Sequence, residues 1–107
     1  MSHEQLIRAC AGRATASQAW SEFVFRFHRP ISLSIIRTAY QWGEAPQPVV
    51  DDLVQETYLK LCADKCRLLL EFASRHPEAV AGYVKTMAVN VAHDYFKATH
   101  SQKRGSG

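Results

Sequence analysis

Apolar residues recur along this chain at spacings of three and four, and no stretch alternates apolar and polar long enough to make a strand. The pattern predicts an all-α fold: a compact bundle of three to four helices with a long, kinked second helix. The first helix is short, over residues 4–11, and Gly12 closes it. The second covers residues 16–42, capped by Ser17 or Thr15. Its Trp20, Phe23, Val24, Phe27, Ile31 and Ile35 follow the i, i+3, i+4, i+7 rule of a buried stripe. Pro30 lies inside this helix, where it removes a backbone donor and crowds the carbonyl of Arg26, so a kink is expected there. GEAPQP, residues 43–48, ends it.

A third helix is expected over residues 50–63, with Asp51 and Asp52 in its first turn, where carboxylates suit the positive end of the dipole. Val50, Leu53, Val54, Thr57, Tyr58 and Leu61 form its buried stripe. Residues 64–77 carry a weaker pattern. LLLEF reads as a helical turn and SRHP, residues 74–77, as a loop. The last helix spans residues 78–99 with Val84, Met87, Ala88, Val91 and Tyr95 toward the core. Residues 1–100 thus make one domain, and 101–107 a flexible basic tail or the start of a linker.

With 47% apolar and 21% charged residues, the 107-residue chain is globular rather than disordered. Its apolar runs fall far short of the ~20 residues that a membrane helix needs. MSHEQLIRAC lacks the basic-then-apolar order of a leader, so a soluble cytoplasmic protein without membrane partners is expected. Net charge is +3, unevenly spread. Residues 44–64 hold five carboxylates against Lys60 alone, and residues 85–107 hold four cations against Asp94 alone. One segment repels a polyanion and the other attracts it.

The residues offer little for catalysis. There is no glycine-rich phosphate loop, no HExxH and no GxSxG. Asp51–Asp52 and His93–Asp94 are adjacent pairs that diverge by about 100° on a helix. Cys62 and Cys66 lie four apart, with His76, His93 and His100 as conceivable further ligands, but no CxxC or HxxxH spacing supports a metal. The expectation is a non-enzyme with no cofactor, no metal and no disulfide.

Two helix faces stand out instead. On the last helix Thr86, Asn90, His93 and Lys97 recur at i, i+4, i+7, i+11, continued by His100, Lys103 and Arg104. Cations neutralise phosphates and an Asn amide pairs with a base edge, so this stripe suits nucleic acid, although spacing alone favours a solvated face. Phe72, Ser74, Arg75 and His76 in the preceding loop have the groups that hold an unstacked base. On the third helix Asp52, Gln55, Glu56 and Leu59 line the outer surface. An apolar side chain and an amide among acids, with one cation for i, i+4 pairing, describe either a solvated face or a docking face for a basic partner.

DDLVQETYLKL, residues 51–61, resembles the second conserved helix of the sigma subunits of bacterial RNA polymerase, the minimal extracytoplasmic-function group most closely. That helix has an acidic pair, then Leu-Val-Gln-Glu, then an apolar run. GYVKTMAVNVAHDYFKATHSQKR resembles the helix that follows in that family, with Asn90 and Asp94 at the family positions and Met87-Ala88 for its Ile-Ala pair. LIRACAGRATASQAWSEFVFRFHRPI resembles the family's start. The chain departs in Tyr83 for the usual Trp, in Val89 where Arg is common, and in a longer segment between the two motifs.

The resemblance implies that Asp52, Gln55, Glu56 and Leu59 dock on the clamp helices of the largest subunit of core RNA polymerase. It implies that the loop and last helix recognise and melt the minus-ten promoter element, flipping a base of the non-template strand into a pocket. Asn90 would read bases. Arg75, His76, Lys85, Thr86, His93, Lys97, Lys103 and Arg104 would complete the DNA contact. An anti-sigma factor is a further implied partner. Relatives of this kind carry a second domain with a helix-turn-helix, so a chain stopping at Gly107 is expected to be the isolated promoter-melting domain. A helical protein-interaction module without DNA activity is the competing expectation.

Overall fold

The computed structural model describes residues 1–12 and 16–105, and the side chains among them other than those of Ala16 and residues 101–105. It is all-α: helices α1 (His3–Ala11), α2 (Ala16–Gln41), α3 (Gln47–Leu61), α4 (Ala63–Arg75) and α5 (Val80–Gly105), with a short 3-10 turn at Pro77–Ala79. No described helix is long and apolar enough to cross a membrane.

α2 is the spine. Phe23, Phe27, Ile31, Ile35 and Ala39 step along it at intervals of four and are buried throughout. Because four residues overshoot one 3.6-residue turn, this ridge winds slowly round the helix. It therefore presents different sides to α1, α3 and α5, and α2 packs on each of them. At its start Phe23 touches Trp20 and Phe27 at ring separations of 4.9 and 4.7 Å. The helix runs unbroken across Pro30. Val24, expected in the stripe, is 38% exposed, because Phe23 takes the inward position on that turn. Ser17 lies inside the helix and accepts from Ser21 Oγ through its carbonyl rather than capping, and Thr15 lies outside the described residues.

α1 begins with a full capping box. Ser2 Oγ accepts from the Gln5 N–H at 3.1 Å, and Gln5 Oε1 accepts from the Ser2 N–H at 2.9 Å. Its buried Leu6, Ile7 and Cys10 lie between α2 and α4. Arg26 ties α2 to α1 by donating to His3 Nδ1 at 3.3 Å while pairing with Glu22. Burial, and then the Arg26 charge, hold the His3 pKa below its ordinary value, so the ring is the neutral acceptor this bond requires.

α3 starts three residues earlier than the apolar pattern indicates. Pro46 is its N-cap and Pro48 sits in the first turn, where the missing N–H would have no helical partner in any case. Asp51 and Asp52 consequently fall in the second turn, away from the strongest part of the dipole, and Gln47 donates to Asp51 Oδ1 at 2.7 Å. The expected stripe is buried apart from half-buried Tyr58. Thr57 is fully buried yet satisfied, donating to the Leu53 carbonyl at 2.8 Å.

The segment expected as a turn and a loop is a helix. Cys66, Leu69 and Ala73 are its buried stripe, and it lies along α1, where Arg8 donates to Ser74 Oγ at 3.3 Å. Cys62 ends α3 and caps α4, so no spacer separates them. The reversal is made by Asp64, Lys65 and Cys66, all left-handed with φ of 54°, 55° and 62°. Each such non-glycine residue costs about 1–2 kcal/mol. The Asp64 carboxylate accepts from Arg67 Nε at 2.7 Å. In α5, Phe96 is 7% exposed and Tyr95 39%, so Phe96 holds the core position expected of Tyr95. The helix begins at Val80, because Pro77 and Glu78 belong to the 3-10 turn, and it continues to Gly105.

Two substitutions test this packing. Phe23→Ala removes a fully buried ring and should cost about 3–5 kcal/mol of unfolding free energy in urea titration. Lys65→Gly relieves one exposed left-handed residue and should raise stability by about 0.5–1 kcal/mol, net of the entropy that glycine adds to the unfolded chain.

Candidate functional site

α5 separates two grooves of opposite character. Against α3 lies a cavity of about 370 Å³ lined by Val49, Asp52, Leu53, Glu56, Lys60, Val91, Asp94 and Tyr95. It holds three carboxylates and one cation. Neither Asp52 nor Glu56 belongs to an ion pair among the described residues, and Lys60 does not close onto Glu56. At 100° per residue, Asp52, Gln55, Glu56 and Leu59 occupy one arc of about 100° on α3. All four are exposed, Leu59 at 64%. The sequence-predicted docking set is thus one continuous face, supported from beneath by Val50, Leu53, Val54 and Thr57.

Against α2 lies a groove of about 270 Å³ lined by Arg29, Pro30, Leu33, Ser34, Arg37 and Lys85. It has three cations and no carboxylate. Asp94 and Lys85 are nine residues apart, about 180° on the α5 wheel, so the two grooves open on opposite sides of the helix. The cations are therefore not gathered at the end of α5 alone. Arg29 and Arg37 escaped the sequence reading because their relation to Lys85 is tertiary. The available signal was their spacing of eight on one helix with Leu33 midway.

The predicted nucleic-acid residues are only partly brought together. Thr86, Asn90 and Lys97 are exposed and share an arc of about 60° with His93. His93 itself is half-buried and engaged, because Trp42 Nε1 donates to its Nδ1 at 3.2 Å. Trp42 is the organiser that the sequence reading missed. It stacks on Phe96 with rings 16° from parallel and lies 4.9 Å from the His100 ring, which pins the end of α2 to α5. Lys85 faces the α2 groove. The side chains of Lys103 and Arg104 lie outside the described residues.

Phe72, Ser74 and Arg75 lie on α4 rather than in a loop, and His76 is the residue that caps it. The Phe72 ring stacks on Tyr83 at 4.4 Å, and with Leu68, Glu71, Arg75 and His76 the pair lines a cavity of about 300 Å³. An aromatic floor with a cation at its rim suits a planar group, but Phe72 already has Tyr83 on one face. Tyr83 and Lys97 are about 21 Å apart along α5, so these residues form a track rather than one pocket.

The three cysteines meet where α1, α3 and α4 join. Burial first, and then the neighbouring Cys66 and Cys62 thiols, push Cys10 up to about 12. Burial and then Cys62 push Cys66 up to about 11. The histidines considered with them pack elsewhere: His93 and His100 lie on Trp42, and His76 beside Phe72 and Glu78. Among the described residues no group of three or more His, Cys, Asp or Glu is placed to hold a metal ion.

Compared with protein-family models, curated proteins and solved structures, the chain matches none.

Because the thiolate is the nucleophile and a raised pKa keeps a thiol protonated, Cys10 and Cys66 should resist an aromatic disulfide reagent at pH 8. Half-buried Cys62 should react first, and all three should react in denaturant. Three equally fast thiols in the native chain would contradict the packing of α1 on α4.

Proposed function

We propose that this chain is a sigma-type promoter-melting domain: a non-enzymatic specificity element that binds core RNA polymerase through α3 and engages the minus-ten element through α5. The observation that carries the reading is the α3 face. Among the described residues Asp52 and Glu56 belong to no ion pair, Gln55 is exposed, and Leu59 places an apolar side chain among them on a well-supported helix. A solvated face would more commonly pair its acids with i, i+4 cations. A basic, partly apolar partner would cover the leucine and neutralise the acids. The motif order from residue 6 to residue 104 supplies the family, and the geometry supports it by leaving both Asn90 and the α3 face open to partners.

In this reading the clamp helices of the largest polymerase subunit meet Asp52, Gln55, Glu56 and Leu59. Asn90 reads a non-template base, Thr86 flanks it, and Lys97 holds the backbone. Arg75 and His76, at the far end of the track, receive the flipped base beside Phe72. His93 acts by fixing Trp42 and hence the pitch of α5 rather than by touching DNA. An acidic α3 keeps DNA off the polymerase-facing side. Cytoplasmic residence and control by an anti-sigma factor belong to the same proposal.

The spread of cations along α5 and the engagement of His93 favour a second reading, a helical module that meets only a regulatory protein. Retention of core polymerase on the immobilised chain separates the two. The wild-type chain should retain core enzyme and the Asp52/Gln55/Glu56→Ala triple should release it. No retention by wild type would end the sigma reading. A labelled single-stranded minus-ten oligonucleotide should bind better than its scrambled version. Asn90→Ala should bring the two within about threefold, whereas Lys97→Ala should weaken both alike.

A further inference from the structure

The groove with Arg29, Arg37 and Lys85 continues into the outer face of α2, which neither the α3 docking face nor the α5 stripe uses. From residue 23 to residue 43 the chain contains three arginines and no carboxylate. Arg26 is neutralised by Glu22. Arg29, Arg37 and Lys85 are exposed and belong to no ion pair among the described residues. Between and beyond them stand large apolar side chains that the core does not take. Phe25 is 83% exposed, Tyr40 66% and Leu33 39%.

On a helical wheel Phe25, Arg29, Leu33, Arg37 and Tyr40 fall within an arc of about 120°. Along the axis the two rings are about 22 Å apart, with the arginines between them. An exposed phenylalanine costs solubility and contributes nothing to the fold. Two exposed rings flank Arg29 and Arg37, and the one acid on this face, Glu22 a turn before Phe25, is taken by Arg26, which makes a surface for something both anionic and flat.

We infer that the outer face of α2, with Lys85 of α5, is a binding track for single-stranded nucleic acid, in which Arg29, Arg37 and Lys85 neutralise successive phosphates and Phe25 and Tyr40 stack on unpaired bases. Stacking on aromatic side chains combined with a positive groove is how single strands are held without sequence preference. A duplex would satisfy the cations but leave both rings without a partner, since its base faces are already stacked. An acidic protein segment would also satisfy the cations but has no flat faces for the rings. The inference stands apart from the polymerase reading, because it uses none of the α3 residues and does not need Asn90.

Fluorescence anisotropy with the full chain tests it. The probe is a labelled DNA single strand of mixed sequence about 16 nucleotides long, at the upper end of common single-strand site sizes. The same sequence as duplex and a poly-glutamate peptide serve as competitors. Arg29→Ala/Arg37→Ala should weaken binding about tenfold or more at low salt. It should also reduce the slope of log affinity against log salt by about 1.4, the value for two single-strand phosphate contacts. Phe25→Ala/Tyr40→Ala should weaken the single strand about tenfold and leave the duplex unaffected. Arg67→Ala, at an exposed cation of α4 paired with Asp64, should leave this binding unchanged, and core-polymerase retention is read separately, which keeps the outcome apart from that of the sigma reading. All four α2 positions are exposed, so circular dichroism should show the helices intact in each variant.

The inference fails if the wild-type chain does not bind the strand, or if either α2 double variant binds it like wild type. It fails also if duplex or poly-glutamate competes as well as the single strand itself.

Discussion

Everything in this molecule rests on one helix that carries a buried ridge along its whole length and packs on three others. Phe23, Phe27, Ile31, Ile35 and Ala39 of α2 make that possible because a four-residue step drifts round the helix. A stripe at strict 3.6-residue spacing would have presented one flat face to a single partner layer. The drifting ridge instead carries α1 and α3 along its first half, where His3 meets Phe27 and Tyr58 meets Phe23, and α5 from Arg29 to the helix end. It also fixes which side of α2 is left over, and that remaining side is where Phe25, Arg29, Leu33, Arg37 and Tyr40 stand.

The same constraint arranges the charges. α5 lies with one flank toward α2 and the other toward α3, so whatever is carried by those two helices faces opposite sides of it. α3 brings Asp52 and Glu56, and α2 brings Arg29 and Arg37. Neither set neutralises the other, because the width of α5 lies between them. The acids and cations are too far apart for short-range pairing and partly screened at physiological salt. The resulting molecule has a cationic side and an anionic side, with the exposed positions Thr86, Asn90 and Lys97 along α5. In the proposed function this separation would steer nucleic acid and polymerase to different sides.

Much of the fold was legible in the sequence. Phe23, Phe27, Ile31 and Ile35 announce α2, and Val50, Leu53, Val54, Thr57 and Leu61 announce α3, because large or branched residues at i, i+3, i+4 leave little choice of period. α4 was not legible. Its inward residues are Cys66, Leu69 and Ala73, two of them small, and it begins in a left-handed turn with no glycine to advertise it. Tyr95 and Phe96 were exchanged because adjacent aromatics fit the stripe almost equally, and only the stack on Trp42 decides between them. The exposure of Asp52, Gln55, Glu56, Leu59 and Asn90 followed from the wheel alone. The tie of His93 to Trp42, 51 residues away, did not, and neither did the meeting of Arg29 and Arg37 with Lys85. A wheel shows which way a side chain leaves its own helix and nothing of what stands opposite.

The left-handed run at Asp64, Lys65 and Cys66 has a dynamic consequence. Its conformational cost is offset mainly by the packing of α4 on α1, where Cys66, Leu69 and Ala73 are buried on one helix and Leu6, Ile7 and Cys10 on the other. If α1 lifts away, most of that offset is lost and the turn is free to straighten, so the two helices should open together as one cooperative unit below the global unfolding free energy. The amides of α1 and α4 would then exchange with solvent at a common rate, faster than those of α2 and α3. Because α4 joins α3 without a spacer, the left-handed turn ties the opening of that unit directly to the end of α3.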